Sequence, residues 1–297
     1  MNKEELKNIV AQMLRELNNQ PGAEPTVKGS DYKPTQKPEE GGFLSDITND
    51  DLRKQYLVEK AEKPAAFQEL KSRTPARIGL GRAGSRYKTR TVLRFRADHA
   101  AAQDSVFSLV KEEFYQRNNL PFVQTKCKDK DEYLTRPDLG RVFDEENQKK
   151  IEKICKGHKV LLLIGDGLSS AAVEANALDC MAAIRQGLKT KGITPPESLF
   201  IQYCRVGAMD HIGEITDCEL ICLLVGERPG LVTNESMSAY IAYRPRRGIP
   251  ESRRTVVSNI HNQGVAAIEA GAHVATLIVK MLQQKTSGVE FAKGEAG

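Results

Sequence analysis

Along the second half of the chain, continuous apolar runs alternate with stretches patterned for helices. KVLLLIGDGLSS (159–170) stays apolar from Val160 to Ile164 and breaks at Gly165-Asp166-Gly167, which predicts a strand buried on both faces. VEANALDCMAAIRQGLK (173–189) predicts a helix, with Gly192 and Pro195-Pro196 beyond its end. SLFIQYCRVG (198–207) predicts a second strand, and HIGEITDCELICLLVGERPG (211–230) a short helix or turn followed by a third. MSAYIAYRP (237–245) and RTVVSNI (254–260) read as further strands, and VAAIEAGAHVATLIVKMLQQK (265–285) as a long closing helix. Apolar strands alternating with helices predict an α/β fold with a parallel, doubly wound sheet covered on both faces.

The first half has a different rhythm. Leu6, Ile9, Val10, Met13, Leu14 and Leu17 follow the spacing of one helical face, so residues 3–17 predict an amphipathic helix, with Asn2 and Glu5 close to a capping box. The following stretch carries Pro21, Pro25, Pro34 and Pro38 among glycines and has few large apolar residues; it predicts a flexible linker. Residues 45–71 read as helices: SDITNDDLRKQYL has a capping residue and an apolar stripe, and PAAFQELK opens on Pro64, a favoured first helical position. Residues 89–115 again read as mostly helical, and no βαβ rhythm starts before about residue 120. The expected organisation is a docking helix at 1–18, a linker at 19–44, a small helical domain at 45–118 and the α/β domain at 119–297. A lone amphipathic helix on a tether has nothing of its own to bury against. It either folds back on the body or docks on another protein.

Composition narrows the class. With 297 residues, 40% hydrophobic and 28% charged, the chain has the make-up of an ordinary soluble globular protein. No apolar run approaches the roughly 20 residues that a membrane span requires, and the N-terminus is too charged for a secretory signal. The six cysteines form no C-x-x-C and several sit in apolar runs, so they read as buried free thiols of a reducing cytosol. The net charge of +5 is unevenly placed: residues 71–96 hold nine Lys/Arg and no acid. Such a segment can grip phosphates or face acidic groups of a partner.

Familiar catalytic signatures are absent. Gly79, Gly81 and Gly84 spell G-x-G-x-x-G, but no buried strand precedes them and no helix pattern follows directly, so a glycine-rich turn carrying Arg82 and Arg86 is expected instead of a dinucleotide site. There is no P-loop and no G-x-S-x-G elbow, and the five histidines are scattered. What remains is a set of strand ends: Gly165-Asp166-Gly167-Leu168-Ser169, Arg205-Val206-Gly207, Gly226-Glu227-Arg228-Pro229-Gly230, and Val256-Val257-Ser258-Asn259-Ile260-His261. Ligands of open α/β sheets bind outside the carboxyl ends of the strands. Mixed glycine, amide and apolar character suits a large ligand better than a triphosphate. Two rival readings stay open on these residues. One is a stand-alone nucleotide-binding enzyme using Gly165-Asp166-Gly167, with Glu227 for ribose. The other is an RNA-binding module on 71–96, where Tyr87 and Phe95 are the only interleaved aromatics.

Five motifs in order then carry a resemblance: GRAG (81–84), YLTRPDLGR (133–141), LLVGERPGL (223–231), SNIHNQG (258–264) and KMLQQKTSG (280–288). Together they resemble the small-subunit family of ethanolamine ammonia-lyase from about residue 45 onward, and the amphipathic head is similar to that family's N-terminus. The resemblance implies an adenosylcobalamin-dependent enzyme that converts ethanolamine to acetaldehyde and ammonia. In that chemistry, homolysis of the cobalt–carbon bond gives an adenosyl radical that abstracts a substrate hydrogen. It implies that substrate and most catalytic residues belong to a large barrel subunit, with cobalamin between the two subunits and facing a Rossmann-like sheet of the small one. By motif, the cofactor contacts fall on Val206, Glu227 and Val256. Val206 can offer a polar contact only from its backbone, and Val256 a backbone or packing contact. The Glu227 carboxylate can accept hydrogen bonds from corrin amides or a ribose hydroxyl, with Arg228 supporting the loop. The chain lacks the D-x-H-x-x-G cobalamin motif, as the family does, which implies that the cofactor's own base stays on cobalt. The resemblance further implies six large and six small subunits, residues 71–96 as an interface with the large subunit, and a head helix that routes the enzyme into a bacterial microcompartment.

Overall fold

A computed structural model describes residues 46–74 and 76–295. The helix expected over 3–17 and the linker expected over 19–44 lie outside the described residues. The chain divides after Thr91 into two units.

In the first unit the apolar stripe after Ser45 gives only a 3-10 turn, Ile47–Asn49, in place of the expected helix. Aspartates explain the shortfall. Asp46 Oδ1 accepts the Thr48 N–H at 2.8 Å and Asp51 Oδ1 the Arg53 N–H at 3.0 Å, local bonds that compete with helix propagation. Helix α1 (Pro64–Ser72) does begin at Pro64. Its Lys71 is buried, and the ammonium donates to the Leu52 carbonyl at 2.8 Å and to the Ile78 carbonyl at 2.5 Å. The G-x-G-x-x-G stretch forms a two-stranded hairpin, β1 (Arg82–Ala83) with β2 (Arg86–Tyr87), turning at Gly84 with φ +65°. It is the glycine-rich turn expected from its context.

The second unit opens with the remainder of α2 (Thr89–Phe107) and α3 (Glu112–Arg117), followed by β3 (Phe122–Gln124), α4 (Lys130–Thr135) and α5 (Glu145–Cys155). Then come β4 (Val160–Gly165), α6 (Ser170–Lys189), β5 (Leu199–Gln202), α7 (Ala208–Thr216), β6 (Leu220–Gly226), β7 (Met237–Tyr243), β8 (Arg254–Ile260), α8 (Ala267–Gln284) and α9 (Val289–Glu295). The strands form one sheet in the order β3-β5-β4-β6-β7-β8. Pairings among β3, β5, β4 and β6 are parallel; β6–β7 and β7–β8 are antiparallel. The sheet is thus mostly parallel, as expected, but its last two strands depart from the parallel pattern. A parallel connection needs a crossover long enough for a helix, and neither 227–236 nor 244–253 contains an α-helix. Strand β3 has only three residues, too few for its alternation to stand out in the sequence.

Strand alternation separates two apolar layers. Leu220, Cys222 and Leu224 of β6 face α6 and α8, through Val173, Cys180, Ile184, Val274 and Ile278. Ile221, Leu223 and Val225 face α5 and α7, through Ile151, Cys155, Met209 and Ile212. All six cysteines are buried and free. Among the described residues no helix is long and apolar enough to cross a membrane.

Candidate functional site

The register of the sheet decides which of the expected site residues meet. Leu223 of β6 lies opposite Tyr240 of β7, and Tyr240 opposite Val256 of β8, so the three side chains share the α7 face of the sheet. Glu227 keeps the parity of Leu223 and Val225, and its Oε1 accepts a 2.7 Å hydrogen bond from the Tyr240 hydroxyl. Val206 precedes α7 and packs, like Tyr240, against the apolar cluster of that face. Glu227 and Val256 therefore flank one tyrosine, and Val206 packs against the same apolar cluster as that tyrosine, although 51 residues of sequence span the three. The position differs from the expected one. Val256 sits in mid-strand instead of at a strand end, and the three line the sheet face beside α7. Beyond α7 this face is open: Tyr240 is half-buried, Val256 is 43% exposed, and Leu231 and Val232 in the loop after Glu227 are 43% and 54% exposed.

Local backbone places Val206. Tyr203, just past β5, adopts φ +55°, a conformation that costs a non-glycine residue about 1–2 kcal/mol. It is held by its ring against Tyr133, with centroids 6.1 Å apart, and by its carbonyl, which accepts the Thr125 hydroxyl at 3.0 Å. Arg205 lies over the Tyr133 ring at 4.2 Å and donates to the Tyr133 carbonyl at 2.6 Å. The chain so turned leads through Val206 into α7; the Val206 carbonyl accepts the Met209 N–H at 3.2 Å, and no acceptor for its own N–H lies among the described residues. In the first turn of α7, Asp210 meets Arg254 of β8: the carboxylate Oδ2 and guanidinium Nη2 are 2.5 Å apart, and the Arg254 side chain is 2% exposed. This pair ties the helix that follows Val206 to the strand that carries Val256.

The crevice where strand order reverses, between β4 and β6, is the usual ligand position in such sheets. Here the chain itself fills it. The Leu168 N–H donates to the Gly226 carbonyl at 3.1 Å, and a Cβ on Gly226 would lie 2.0 Å from the Ser169 carbonyl oxygen. A Cβ on Gly167 would lie 2.5 Å from Val225 Cγ2. Both glycines serve close packing within the chain rather than approach of a ligand. The end of α2 and the residues after it cover the same rim: Ser105 Oγ is 3.1 Å from Ser169 Oγ, Ser108 Oγ is 2.5 Å from Ser170 Oγ, and the Val110 N–H donates to Asp166 Oδ2 at 3.2 Å. Asp166 is 1% exposed, so it has no access to a ribose of a bound nucleotide.

Burial pushes the Asp166 carboxyl up to about 6, against the opposing pull of the Lys130 ammonium and the Val110 N–H. A carboxyl raised in the folded state binds its proton more tightly there than in the unfolded chain. Its contribution to stability is full below about pH 4 and is lost as pH rises to about 6. Asp166→Asn should abolish that slope. Thermal unfolding of both forms across pH 4–7 checks this, the variant gaining relative to the parent as pH rises; parallel curves would refute it.

The basic segment is partly consumed inside the fold. Lys71 is buried; Arg73 pairs with Glu69 at 2.6 Å, Arg90 with Asp50 at 2.5 Å, Arg94 with Asp98 at 2.9 Å, and Lys88 with Glu59. Arg82, Arg86 and Arg96 stay exposed and have no acidic partner among the described residues. No group of three or more His, Cys, Asp or Glu there is placed to hold a metal.

Of these features, sequence reasoning missed Tyr240 and the Asp210–Arg254 pair. Alternation in MSAYIAYRP could have put Tyr240 on the opposite face from Met237, Ala239 and Ile241; nothing local marks Asp210 as the partner of a residue 44 positions away.

Comparison with known proteins gives these residues a family. The profile described as "Ethanolamine ammonia-lyase light chain (EutC)" matches residues 64–292. The chain is 56% identical over 296 residues, 98% of this chain and 100% of the relative, to the ethanolamine ammonia-lyase small subunit of Clostridioides difficile strain 630. It is 54% identical over 295 residues, with the same coverage, to that of Clostridium perfringens. It is 50% identical over 292 residues to that of Listeria monocytogenes serotype 4a. The chain belongs to the ethanolamine ammonia-lyase small-subunit (light-chain) family.

Proposed function

We propose that the open surface around Tyr240 is this chain's share of an adenosylcobalamin site, completed by a large subunit that carries the substrate and most of the catalytic groups. The convergence of Val206, Glu227 and Val256 on one uncovered sheet face carries the reading. Cobalamin is large, apolar across its ring and edged with amides, and the residues present fit it. Val206, Val256 and the Tyr240 ring offer apolar area, the Val206 N–H offers a donor, and Glu227 keeps one carboxylate oxygen beyond the one bonded to Tyr240. When bound, the cofactor supplies the radical chemistry that turns ethanolamine into acetaldehyde and ammonia.

This chain's residues bind and orient. Glu227 accepts N–H or O–H donors at the ligand's edge, and its charge makes those bonds stronger than neutral ones. Val206 and Val256 exclude water from the ring they pack against. The Asp210–Arg254 pair holds the two flanks of the surface at a fixed separation. The openness of the face and its lack of a complete catalytic set both support a site shared between subunits.

Co-expression with a large subunit of the same family tests the assignment. The two chains should co-purify and release ammonia from ethanolamine only when adenosylcobalamin is added. Absence of a complex, or ammonia release by this chain alone, would overturn it.

A further inference from the structure

Tyr240 links the other residues of the proposed surface. It lies directly across from Val256 in the sheet register, shares an apolar cluster with Val206, and donates to Glu227 at 2.7 Å. Glu227 is the first residue beyond β6, on a loop that turns at Leu231-Val232, where the Gly230 N–H donates to the Thr233 carbonyl at 3.0 Å, and it is only half-buried. A glutamate there has three side-chain torsions to order before it can meet a ligand. Its backbone N–H donates to the Ser236 carbonyl at 2.9 Å, and its one side-chain hydrogen bond among the described residues is with the Tyr240 hydroxyl. That tie occupies Oε1 and leaves Oε2 for another donor.

We propose that Tyr240 is a positioning residue for the cofactor: its hydroxyl fixes the Glu227 carboxylate so that the second oxygen is presented to a donor at the edge of the bound corrinoid. The inference rests on the cofactor reading of Glu227 and adds to it the group that pre-orders this side chain. A phenol suits the task. The ring is anchored in the packed layer of β7, which makes it a stiff support. Burial and the adjacent carboxylate both raise its pKa, so the hydroxyl keeps its proton and remains the donor throughout the neutral range. Phenylalanine would keep the packing and lose only the bond. Glu227 would then sample conformations in which its charge faces water, and binding would have to order it.

The test uses the assembled two-subunit enzyme and cyanocobalamin, an unreactive corrinoid, with affinity measured by equilibrium dialysis. Four forms are compared: the parent, Tyr240→Phe, Glu227→Ala and the double variant. Tyr240→Phe should weaken binding about 3- to 10-fold, the loss expected for one ordering hydrogen bond. In the Glu227→Ala background the same change should have no effect, because there is no carboxylate left to hold. Tyr240→Phe without effect beside a weakened Glu227→Ala would overturn the positioning role and leave the cofactor reading standing. An equal loss in both backgrounds would also overturn it, since Tyr240 would then act on the ligand independently of Glu227. Full affinity in all four forms would overturn both readings together.

Discussion

Arg254→Ala should destabilise the protein by about 3–5 kcal/mol, the cost of breaking a buried ion pair from one side. The guanidinium side chain is 2% exposed and bonds Asp210 Oδ2 at 2.5 Å through Nη2, while Nη1 meets the Glu251 carboxylate. Its removal strands Asp210, 7% exposed in the first turn of α7, with no second cation at bonding distance among the described residues. There is little slack in the arrangement. Asp210 Oδ1 and Arg254 Nε are already buried without partners, so no hydrogen bond stands ready to replace the lost one. The amide dipoles at the start of α7 compensate only part of the orphaned charge, at about 0.3–1 kcal/mol for an exposed geometry and about 2 at most. Urea unfolding checks the value. The double variant Arg254→Met, Asp210→Leu should recover most of the loss, because it replaces the pair by apolar groups instead of leaving half of it. A loss under about 1 kcal/mol in the single variant would show that the two groups do not depend on each other.

The same pair shows where sequence reading reaches its limit. The strands announced themselves wherever an apolar run was long and punctuated: β4 and β6 coincide with the runs that stop at Gly165 and Gly226, because burial on two faces and flanking glycines or charges leave a sharp signature, and β8 spans the expected 254–260. The start of α1 at Pro64 was legible for the same local reason. The direction of β7 and β8 was not, since an apolar run looks alike in either orientation and only the lack of a crossover helix distinguishes them. The stripe after Ser45 misled because propensity and periodicity do not register Asp46 and Asp51 bonding their own backbone. At the site, motif resemblance picked out Val206, Glu227 and Val256 one by one. Their relation, a shared face around Tyr240, depends on strand register, and register is a property of pairs of segments. The glycines of Gly165-Asp166-Gly167 and Gly226 were expected at a ligand-facing strand end. What approaches is the chain itself, Cys204 at Gly165, the end of β6 at Gly167 and Ser169 at Gly226, a distinction that only the packing shows.

Glu227 is where sequence, fold and proposed chemistry meet, and removing its carboxylate has the second large expected effect. Alanine there deletes a charged acceptor on an otherwise apolar surface and leaves any donor on the bound corrinoid unpaired. Hydrogen bonds to charged groups contribute about 1.5–3 kcal/mol, so cobalamin should bind about 10- to 150-fold more weakly. Stability should hardly change, because Glu227 is half-buried, lies outside the strands and bonds a tyrosine hydroxyl that can turn to water. That separation of effects distinguishes a ligand contact from a structural one. The measurement is adenosylcobalamin affinity of the assembled two-subunit enzyme, parent against Glu227→Ala, taken alongside the urea midpoint of each. Weakened binding at an unchanged midpoint is the expected result; unchanged affinity would make the Glu227–Tyr240 contact a part of the scaffold alone and overturn the role of Glu227 as a ligand contact.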